Sequence, residues 1–365
     1  MSRNPRVLVA PLDWGLGHAT RCIPIVKSLL KHGAQVVLAA DGAMATLLQL
    51  EFPDLPMLKL KGYQITYSKI KGALFSRLLL QSPKIIGVIE YEKKWIKKIV
   101  REYEIDAVIS DNRFGLHHKK IPSIYITHQL HIHTGNIVLS TLAQRIHYKY
   151  INHFTNCWVP DYENDGLAGK LSHPEMMPAI PVQYLGPLTR LKKQKNEKLY
   201  DVFISLSGPE PQRSLLEKSL LPQLRKTKKK IILVRGLPLE TKKLFILNDD
   251  VIIYNHLPAD EFGLLLSQSK ICISRAGYSS IMDYAVLQQN AILIPTPGQT
   301  EQEYLAQYLE EKKFFSQASP FKFSIEAALS SEPLQNFKVP ARPNKNLDEV
   351  VRAFMKELKG TIKKL

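Results

Sequence analysis

Short apolar runs of strand length alternate with longer segments of helical length along most of the chain. The first run, Arg6–Ala10, leads through a glycine-containing turn into a predicted helix from about Ala19 to Lys31, which Gly33 ends. This alternation is typical of parallel sheets with helices on both faces, an α/β fold. The other predicted strands are Gln35–Ala39, Ala107–Ser110, Ser123–Thr127, Cys157–Pro160, a run that opens at Asp201, Lys230–Arg235, Val251–Tyr254, Ile271–Ser274 and Ala291–Pro295.

A charged segment at residues 191–198 interrupts this alternation and has the composition of an exposed linker. The sequence therefore predicts two domains, residues 1–187 and 188–345, followed by a C-terminal helix at 346–365. In open α/β sheets, ligands bind beyond the carboxyl ends of the strands. We therefore expect the functional residues just after the strands and a cleft between the two sheets.

The composition is that of a soluble globular protein: 365 residues, of which 45% are hydrophobic and 23% are charged. Its three cysteines lie far apart, which indicates neither a disulfide framework nor a thiolate zinc site. Pro11 and Asp13 break the N-terminal apolar run, and no window reaches about 18 uninterrupted apolar residues. We therefore expect a cytoplasmic protein.

The net charge is +17, a surplus that attracts phosphates, nucleic acid or an anionic membrane. Residues 59–101 hold eleven basic residues and only two acidic ones, Glu90 and Glu92. Apolar residues at 73–75 and 78–80 lie beside basic ones, as in segments at membrane surfaces, although a core helix with solvated lysines gives the same pattern. No nucleic-acid motif accompanies the charge, so the hypothesis is peripheral binding to the inner face of the plasma membrane.

The turn after the first strand contains Gly15, Gly17 and His18. The glycines allow the backbone to turn tightly and to approach a ligand at the helix N-terminus. A dinucleotide-binding fingerprint is poorly matched, because Thr20 stands at the position of its third glycine. The turn is therefore either a ligand-binding loop with a histidine beside it or a purely structural strand-to-helix connection.

A second turn, with Ser207 and Gly208, follows the strand that opens at Asp201. A hydroxyl and a backbone N–H there can bind a phosphate, although Pro209 and Pro211 remove two N–H groups. Ser207 is equally suited to be a helix N-cap.

A third turn follows the strand Ile271–Ser274 and contains Arg275 and Gly277. The N–H groups of residues 277–279 can point at a diphosphate, and Asp283 can accept two hydrogen bonds from a vicinal diol such as ribose. The alternative is that Asp283 is only a favourable acid near a helix N-terminus. Gln302 and Glu303 follow the next strand.

These motifs resemble glycosyltransferase family 28, which includes the enzyme that adds N-acetylglucosamine to a lipid-linked peptidoglycan precursor. The stretch from Ser274 to Gly277, the acid at 283, Pro295 and the stretch 302–304 are similar to the donor half of that family. The turn at 15–18 resembles its acceptor loop. The resemblance implies the GT-B fold, two facing Rossmann-like domains with a cleft and a C-terminal helix that crosses back.

The same resemblance implies a hexosyltransferase-type enzyme of the cell envelope. It would be inverting, would need neither metal nor cofactor, and would move a sugar from a nucleotide sugar, UDP-linked by resemblance, to a lipid-linked or glycan acceptor. The resemblance then makes His18 either the catalytic base or the charge stabiliser at the reacting centre. It also implies that Asp283 binds the ribose and that the backbone at His256 and Leu257 binds the base of the nucleotide. The remaining implied substrate-binding residues are Gly15, Gly17, Arg21, Ser207, Gly208, Arg275, Gly277, Tyr278, Ser279, Ser280, Gln302 and Glu303.

Other functions remain open at this point. The stretch from Gly17 to Cys22 is also similar to nucleotide-sugar hydrolases of nonulosonic acid synthesis, which share the fold and use a histidine here to activate water. A sensor that binds nucleotide sugar without turnover is another alternative. A serine hydrolase has little support, because no GxSxG motif occurs.

His128 follows the predicted strand Ser123–Thr127, and Asp111 follows Ala107–Ser110. Both are further catalytic candidates, although Asp111 is equally suited to be an N-cap or a loop acid. His128, His131 and His133 together have the spacing of metal ligands, but no carboxylate accompanies them and the family resembled needs no metal.

Overall fold

The computed structural model describes residues 3–63, 82–132, 137–208, 210–240, 244–321, 323–330, 336–342 and 346–362. They form two compact units. The first contains the described residues up to 188 together with 346–362, and the second contains 189–342.

The first unit is built on a parallel sheet with the strand order β3-β2-β1-β4-β5-β6-β7 in the described part of the chain. Its strands are almost continuously apolar, as expected for a parallel sheet covered on both faces. The strands are β1 Arg6–Ala10, β2 Gln35–Ala40, β3 Met57–Lys59, β4 Ala107–Asp111, β5 Ser123–Ile126, β6 Asn156–Val159 and β7 Val182–Tyr184.

Helices connect these strands, and a 3-10 turn lies at Gly169–Leu171. The C-terminal helix belongs to this unit: its Asp348 pairs with Lys31, and its Lys359 donates to the backbone carbonyl of His32. The first unit contains α1 Leu16–Lys31, α2 Gly42–Glu51, α3 Ser82–Glu102, α4 Ile137–Ile151 and, last in the chain, α10 Asn346–Ile362.

The second unit has its own sheet, with the order β10-β11-β9-β8-β12-β13-β14 among the described residues; only β10 is antiparallel to its neighbour. Its strands are β8 Tyr200–Ser205, β9 Ile231–Val234, β10 Leu244–Asn248, β11 Val251–Tyr254, β12 Ser269–Arg275, β13 Ala291–Ile294 and β14 Ser316–Gln317, and its helices are α5 Gln212–Leu224, α6 Ala259–Ser267, α7 Tyr278–Leu287, α8 Thr300–Glu311 and α9 Ile325–Ser330.

Each unit has its own core. In the first, Leu8 and Val108 of the sheet pack with Ile96 of α3. In the second, Ile204 and Leu233 pack in one cluster with the apolar face of α5. A fully buried side chain of this size stabilises the fold by about 1.5–3 kcal/mol, so these faces hold the helices on the sheets.

The predicted α/β alternation is confirmed, but several bounds differ. Helix α1 begins at Leu16 rather than near Ala19, so Gly17 and His18 lie in its first turn. The sequence pattern predicts a helix over residues 91–103, whereas α3 begins nine residues earlier, at Ser82. Strands β3, β7, β10 and β14 were not predicted from the pattern: all four lie at the edges of the two sheets, and all except β10 have only two or three residues.

Most residues of the predicted linker at 191–198 are exposed, as expected. Leu191 is an exception, since it is buried in the second unit near Gly263 of α6. Lys198 is also tied down, because its ammonium donates to the carbonyls of Ser267 and Ser269. Both ends of this charged segment are therefore held on the second unit.

Candidate functional site

The strand order of the first unit brings three predicted catalytic residues together. β4 pairs with β1 on one side and with β5 on the other, with Ala10 opposite Ser110 and Asp111 opposite Ile126. The carboxyl ends of these three strands therefore lie side by side. Asp111 is the last residue of β4 rather than a loop acid or an N-cap.

Asp111 and Arg21 form a buried ion pair. Arg21 donates from Nε to Oδ2 at 2.8 Å and from Nη2 to Oδ1. Burial by itself raises the pKa of Asp111, but the charges of Arg21 and His18 outweigh it and lower the pKa to about 2. Arg21 was predicted to bind substrate; it is buried, and its guanidinium binds Asp111 instead.

The imidazole of His18 contacts both members of this pair through Nδ1. This atom lies 3.1 Å from Oδ2 of Asp111 and 2.7 Å from Nη2 of Arg21. Arginine only donates, so the first contact requires a protonated Nδ1 and the second an unprotonated one. Nε2 makes no hydrogen bond to any described residue. Burial and Arg21 lower the pKa of His18, so its imidazole is neutral near pH 7 and able to accept a proton.

His128, buried after β5, joins the same cluster, because its Nδ1 lies 3.2 Å from Nη1 of Arg21. Asn112 was missed from the sequence. It has a positive φ of 54°, a conformation that asparagine adopts more readily than most residues. With its amide rotated to satisfy its partners, its oxygen accepts from Arg21 at 2.9 Å. Its position directly after Asp111 at a strand end was the available signal.

The metal hypothesis for the three histidines gains no support from this geometry. His133 lies outside the described residues. In the described ranges, no group of three or more histidine, cysteine, aspartate or glutamate side chains is placed to hold a metal ion.

A second buried network holds the loop that precedes α1. Glu92 accepts from Arg113 at 2.8 Å and from the hydroxyl of Tyr63 at 2.9 Å, and all three residues are buried. Arg113 also donates to the carbonyl of Pro11 at 3.3 Å. Burial raises the pKa of Glu92. The sequence placed Glu92 in a basic stretch and gave no sign of this role.

In the second unit, the predicted donor residues follow β8, β11 and β12 or lie on the helices after β12 and β13. Gly277 is the N-cap of α7 and, having no side chain, makes no side-chain capping hydrogen bond. A Cβ at Gly277 or Gly208 would meet no protein atom within 4 Å. Gly208 has a φ of +98°, which favours glycine. Ser207 is not an N-cap, because α5 begins at Gln212 after Pro211.

Arg275, at the end of β12, is buried beneath this turn. Its two terminal nitrogens donate to the carbonyls of Pro295 at 3.2 Å and Gln212 at 2.9 Å, and its buried Nε has no partner. Burial lowers its pKa to about 10. Arg275 therefore joins the ends of β12 and β13 to the start of α5 and places a positive charge at this edge of the sheet.

Asp283, in the second turn of α7, accepts a hydrogen bond on Oδ1 from the hydroxyl of Thr189 at 2.5 Å. Its Oδ2 accepts none from a described residue. Burial raises the pKa of Asp283 to about 6, against the lowering effects of Thr189 and Arg190. One carboxylate oxygen is thus in use, and the other is available to a ligand.

Gln302 and Glu303 shape the loop before α8. Gln302 accepts from the N–H of Thr296 at 2.9 Å and donates to the side chain of Gln299 at 2.6 Å. Glu303 accepts from the N–H of Gly298 at 2.9 Å. The resemblance implies that both side chains bind sugar hydroxyls. Such contacts would use the donor and acceptor atoms that these hydrogen bonds leave available.

The other predicted donor residues differ in exposure. Tyr278 and Leu257 are buried. His256, Ser279 and Ser280 are partly exposed after β11 and in the first turn of α7.

The sequence also missed a charged network beside the Ser207 turn. Glu217 of α5 accepts from Arg213 at 2.7 Å and from Arg235 at 2.5 Å. Arg213 also donates to Glu210 at 2.6 Å. This network fixes the start of α5, which follows the turn.

Comparisons with known proteins agree with this architecture. Residues 213–316 match the glycosyltransferase family 28 C-terminal domain. An uncharacterized glycosyltransferase of Methanosarcina acetivorans is 23% identical over 339 residues, which cover 85% of this chain and 84% of that protein.

Solved structures with a similar fold include the glycotransferase of kitacinnamycin, which has a TM-score of 0.63 at 13% identity and covers 100% of this chain and 97% of its own. UGT2 of Phytolacca americana, complexed with UDP-2fluoro-glucose and pterostilbene, has a TM-score of 0.63 at 14% identity over 100% and 95% of the two chains. MurG of Acinetobacter baumannii has a TM-score of 0.51 at 12% identity over 99% and 100%.

The resemblance to family 28 is thus confirmed over the C-terminal unit, and the expected fold is confirmed for the chain. Residues 213–316 match the glycosyltransferase family 28 C-terminal domain, the chain has a two-domain α/β fold of the GT-B type, and these findings together support a glycosyltransferase enzyme.

Proposed function

We propose that this enzyme moves a sugar from a nucleotide sugar, with UDP as the nucleotide, to a glycan or lipid-linked acceptor, with inversion and without a metal. The observation that carries the proposal is the His18 imidazole: in the tautomer that donates from Nδ1 to Asp111, Nε2 is unprotonated and makes no hydrogen bond to a described residue. This is the geometry of an oriented general base.

The acceptor half of the reaction is assigned to the first unit. His18 Nε2 takes the proton of the acceptor hydroxyl as its oxygen bonds to the anomeric carbon. The bond from that carbon to the diphosphate breaks on the opposite side, so the configuration inverts. Asp111, ionised because of Arg21, stabilises the imidazolium that forms.

The donor half is assigned to the second unit. Helix α7 begins after Gly277, which has no side chain to cap it, and its N-terminal dipole directs positive charge towards the diphosphate, with the charge of Arg275 nearby. Asp283 accepts from the ribose hydroxyls. The fold neighbour complexed with UDP-2fluoro-glucose supports UDP as the nucleotide. These groups stabilise the leaving diphosphate, so the chemistry proposed for it uses no metal ion.

The direct test is nucleotide binding by the pure protein, with UDP, ADP, GDP and CDP compared by calorimetry. Replacing Asp283 by alanine should weaken UDP binding by about 1.5–3 kcal/mol for each charged hydrogen bond lost. Asp201→Ala is the matched control, because that aspartate lies at the amino end of β8 and pairs with Lys270. Equal UDP affinity in a folded Asp283→Ala variant would refute the donor site.

A nucleotide-sugar hydrolase of the same fold is the second candidate, since a neutral histidine can also activate water. Incubating the protein with a panel of nucleotide sugars and measuring the release of nucleoside diphosphate decides between the two functions. Release that requires an added acceptor supports transfer, and equally fast release in its absence supports hydrolysis.

We also propose that the first unit docks on an anionic membrane at the inner face of the plasma membrane, where a lipid-linked acceptor is found. Helix α3 exposes five basic side chains against two exposed acids, because Glu92 is buried. Helix α4 exposes Leu139, Leu142 and Ile146 at helical spacing. Apolar and basic side chains on exposed helix faces suit a lipid surface.

No helix among the described residues is long and apolar enough to cross a membrane. The apolar residues predicted at 73–75 and 78–80 lie outside the described residues. Sedimentation with vesicles tests the proposal on α4 instead. Leu142→Ser with Ile146→Ser should reduce binding to anionic vesicles, whereas Ile246→Ser, at a residue that is even more exposed but lies in the second unit, should not. Equal sedimentation with neutral and anionic vesicles at low salt would refute it.

A further inference from the structure

The carboxylate of Asp283 is held by a residue that no motif marks. Thr189, the first residue of the second unit, lies 94 positions before Asp283 in the chain and donates its hydroxyl to Oδ1 at 2.5 Å. The same hydroxyl oxygen accepts from the N–H of Leu191 at 3.0 Å. Because this N–H approaches the Thr189 oxygen as a donor, the hydroxyl hydrogen is directed towards Asp283.

The segment that carries this hydroxyl is anchored. Leu191 is buried, and its side chain lies against Gly263 of α6. The hydrogen bonds from Leu191 to Thr189 and from Thr189 to Asp283 therefore transmit a fixed backbone position to one carboxylate oxygen. With Oδ1 held in this way, the orientation of Oδ2 is fixed as well.

We propose that Thr189 is a positioning residue for nucleotide recognition: it orients Asp283 so that the carboxylate can accept both hydroxyls of a ribose diol. The inference rests on the donor role proposed for Asp283. It predicts that Thr189 contributes to the affinity for ribonucleotides through the sugar hydroxyls alone and leaves contacts with the base and the diphosphate unchanged.

The surroundings of Asp283 also predict a pH dependence. The groups that face it are Arg190 from the same segment, Cys272 of β12 and Tyr284 of α7. Burial raises the pKa of Asp283 to about 6, and the bond from Thr189 opposes that rise because it favours the ionised form. Without the hydroxyl, the pKa of Asp283 should rise further.

The experiment measures the affinity of the full chain for UDP and for 2′,3′-dideoxy-UDP. Thr189→Val, which keeps the shape and removes the hydroxyl, should weaken UDP binding roughly tenfold, as for one charge-assisted hydrogen bond. It should change the affinity for the dideoxy analogue less than about twofold. Thr189→Ser should restore UDP binding, because it keeps the hydroxyl.

The pH profile is the second readout. In the wild type, UDP affinity should fall as the pH drops through about 6, the pKa of Asp283. Thr189→Val, or Thr189→Ala if the valine variant does not fold, should move this fall to higher pH. Asp283→Asn serves as the control, because its profile contains only the titration of the probe phosphate, whose pKa is also about 6.

The outcomes separate the two proposals. If the wild type does not bind UDP, or if Asp283→Ala binds it equally well, the donor site itself is refuted. If Asp283→Ala weakens binding while Thr189→Val keeps the wild-type affinity and pH profile, only the role of Thr189 is refuted. If Thr189→Val loses as much affinity for the dideoxy analogue as for UDP, that role is also overturned.

Discussion

The two units surround a buried arginine near the carboxyl ends of their strands in opposite ways. In the first unit, Arg21 is paired with Asp111 and contacts two histidines. In the second, the described residues provide Arg275 with no carboxylate partner and its Nε with no hydrogen-bond partner. The first cluster is complete without a ligand, as a preorganised base requires, whereas the second leaves positive charge for an anionic ligand.

The largest effect should come from the paired cluster. His18→Ala should lower turnover about 10²–10⁴-fold, the usual contribution of a general base, and leave nucleotide affinity unchanged. Steady-state kinetics and calorimetry on the same sample measure both. His118→Ala is the control, because His118 lies in the connection between β4 and β5, outside the His18 cluster. Near-normal turnover in His18→Ala would remove this histidine from the chemistry.

The contrast should also appear in stability. Asp111→Asn leaves Arg21 buried without a counter-charge and should cost about 3–5 kcal/mol in the free energy of unfolding at pH 7. Asp283→Asn should leave that free energy unchanged or raise it, since burial opposes the ionised form of Asp283. Urea unfolding of both variants measures the difference. Similar losses in both would contradict the contrast between the two units.

The pH dependence of stability has opposite signs at these two aspartates. The folded pKa of Asp111 is lowered to about 2, so its stabilisation is present above the ordinary aspartate pKa and is lost as the pH falls towards 2. The folded pKa of Asp283 is raised to about 6, so its charge increasingly destabilises the fold as the pH rises from about 4 to about 6. Measuring the free energy of unfolding of the wild type and of each asparagine variant across this pH range separates the two contributions.

The smallest effect is expected at Gly277 of the second unit, where an added Cβ would face open space. Gly277→Ala places a methyl group in open space at a φ of −77° that alanine tolerates, so the free energy of unfolding should change by no more than about 1 kcal/mol. The methyl group would obstruct a close approach of the diphosphate, and UDP affinity should fall roughly tenfold. Gly87→Ala, another glycine that faces open space but in α3, is the matched control. Unchanged UDP affinity in Gly277→Ala would argue against diphosphate binding at this turn.

Much of this picture could be predicted from local sequence. The apolar runs at residues 7–10 of β1 and 271–273 of β12 are buried, and the glycines in the turns after these strands are the local signal for a ligand-binding edge. His18, Asp111 and His128 were all candidates because each follows or ends a predicted strand. Their assignment as a group needed only the expectation that parallel strands share one carboxyl edge.

What the sequence determined by itself was therefore the alternation of elements and the places where function could lie. Only the tertiary structure decided which polar side chains meet: Arg21 with Asp111, Glu92 with Arg113, and Thr189 with Asp283. The first and last of these pairs are 90 and 94 positions apart in the chain. Hydrophobic periodicity records only which face of an element is buried, whereas the strand order and the packing of distant segments select the partner of each buried charge.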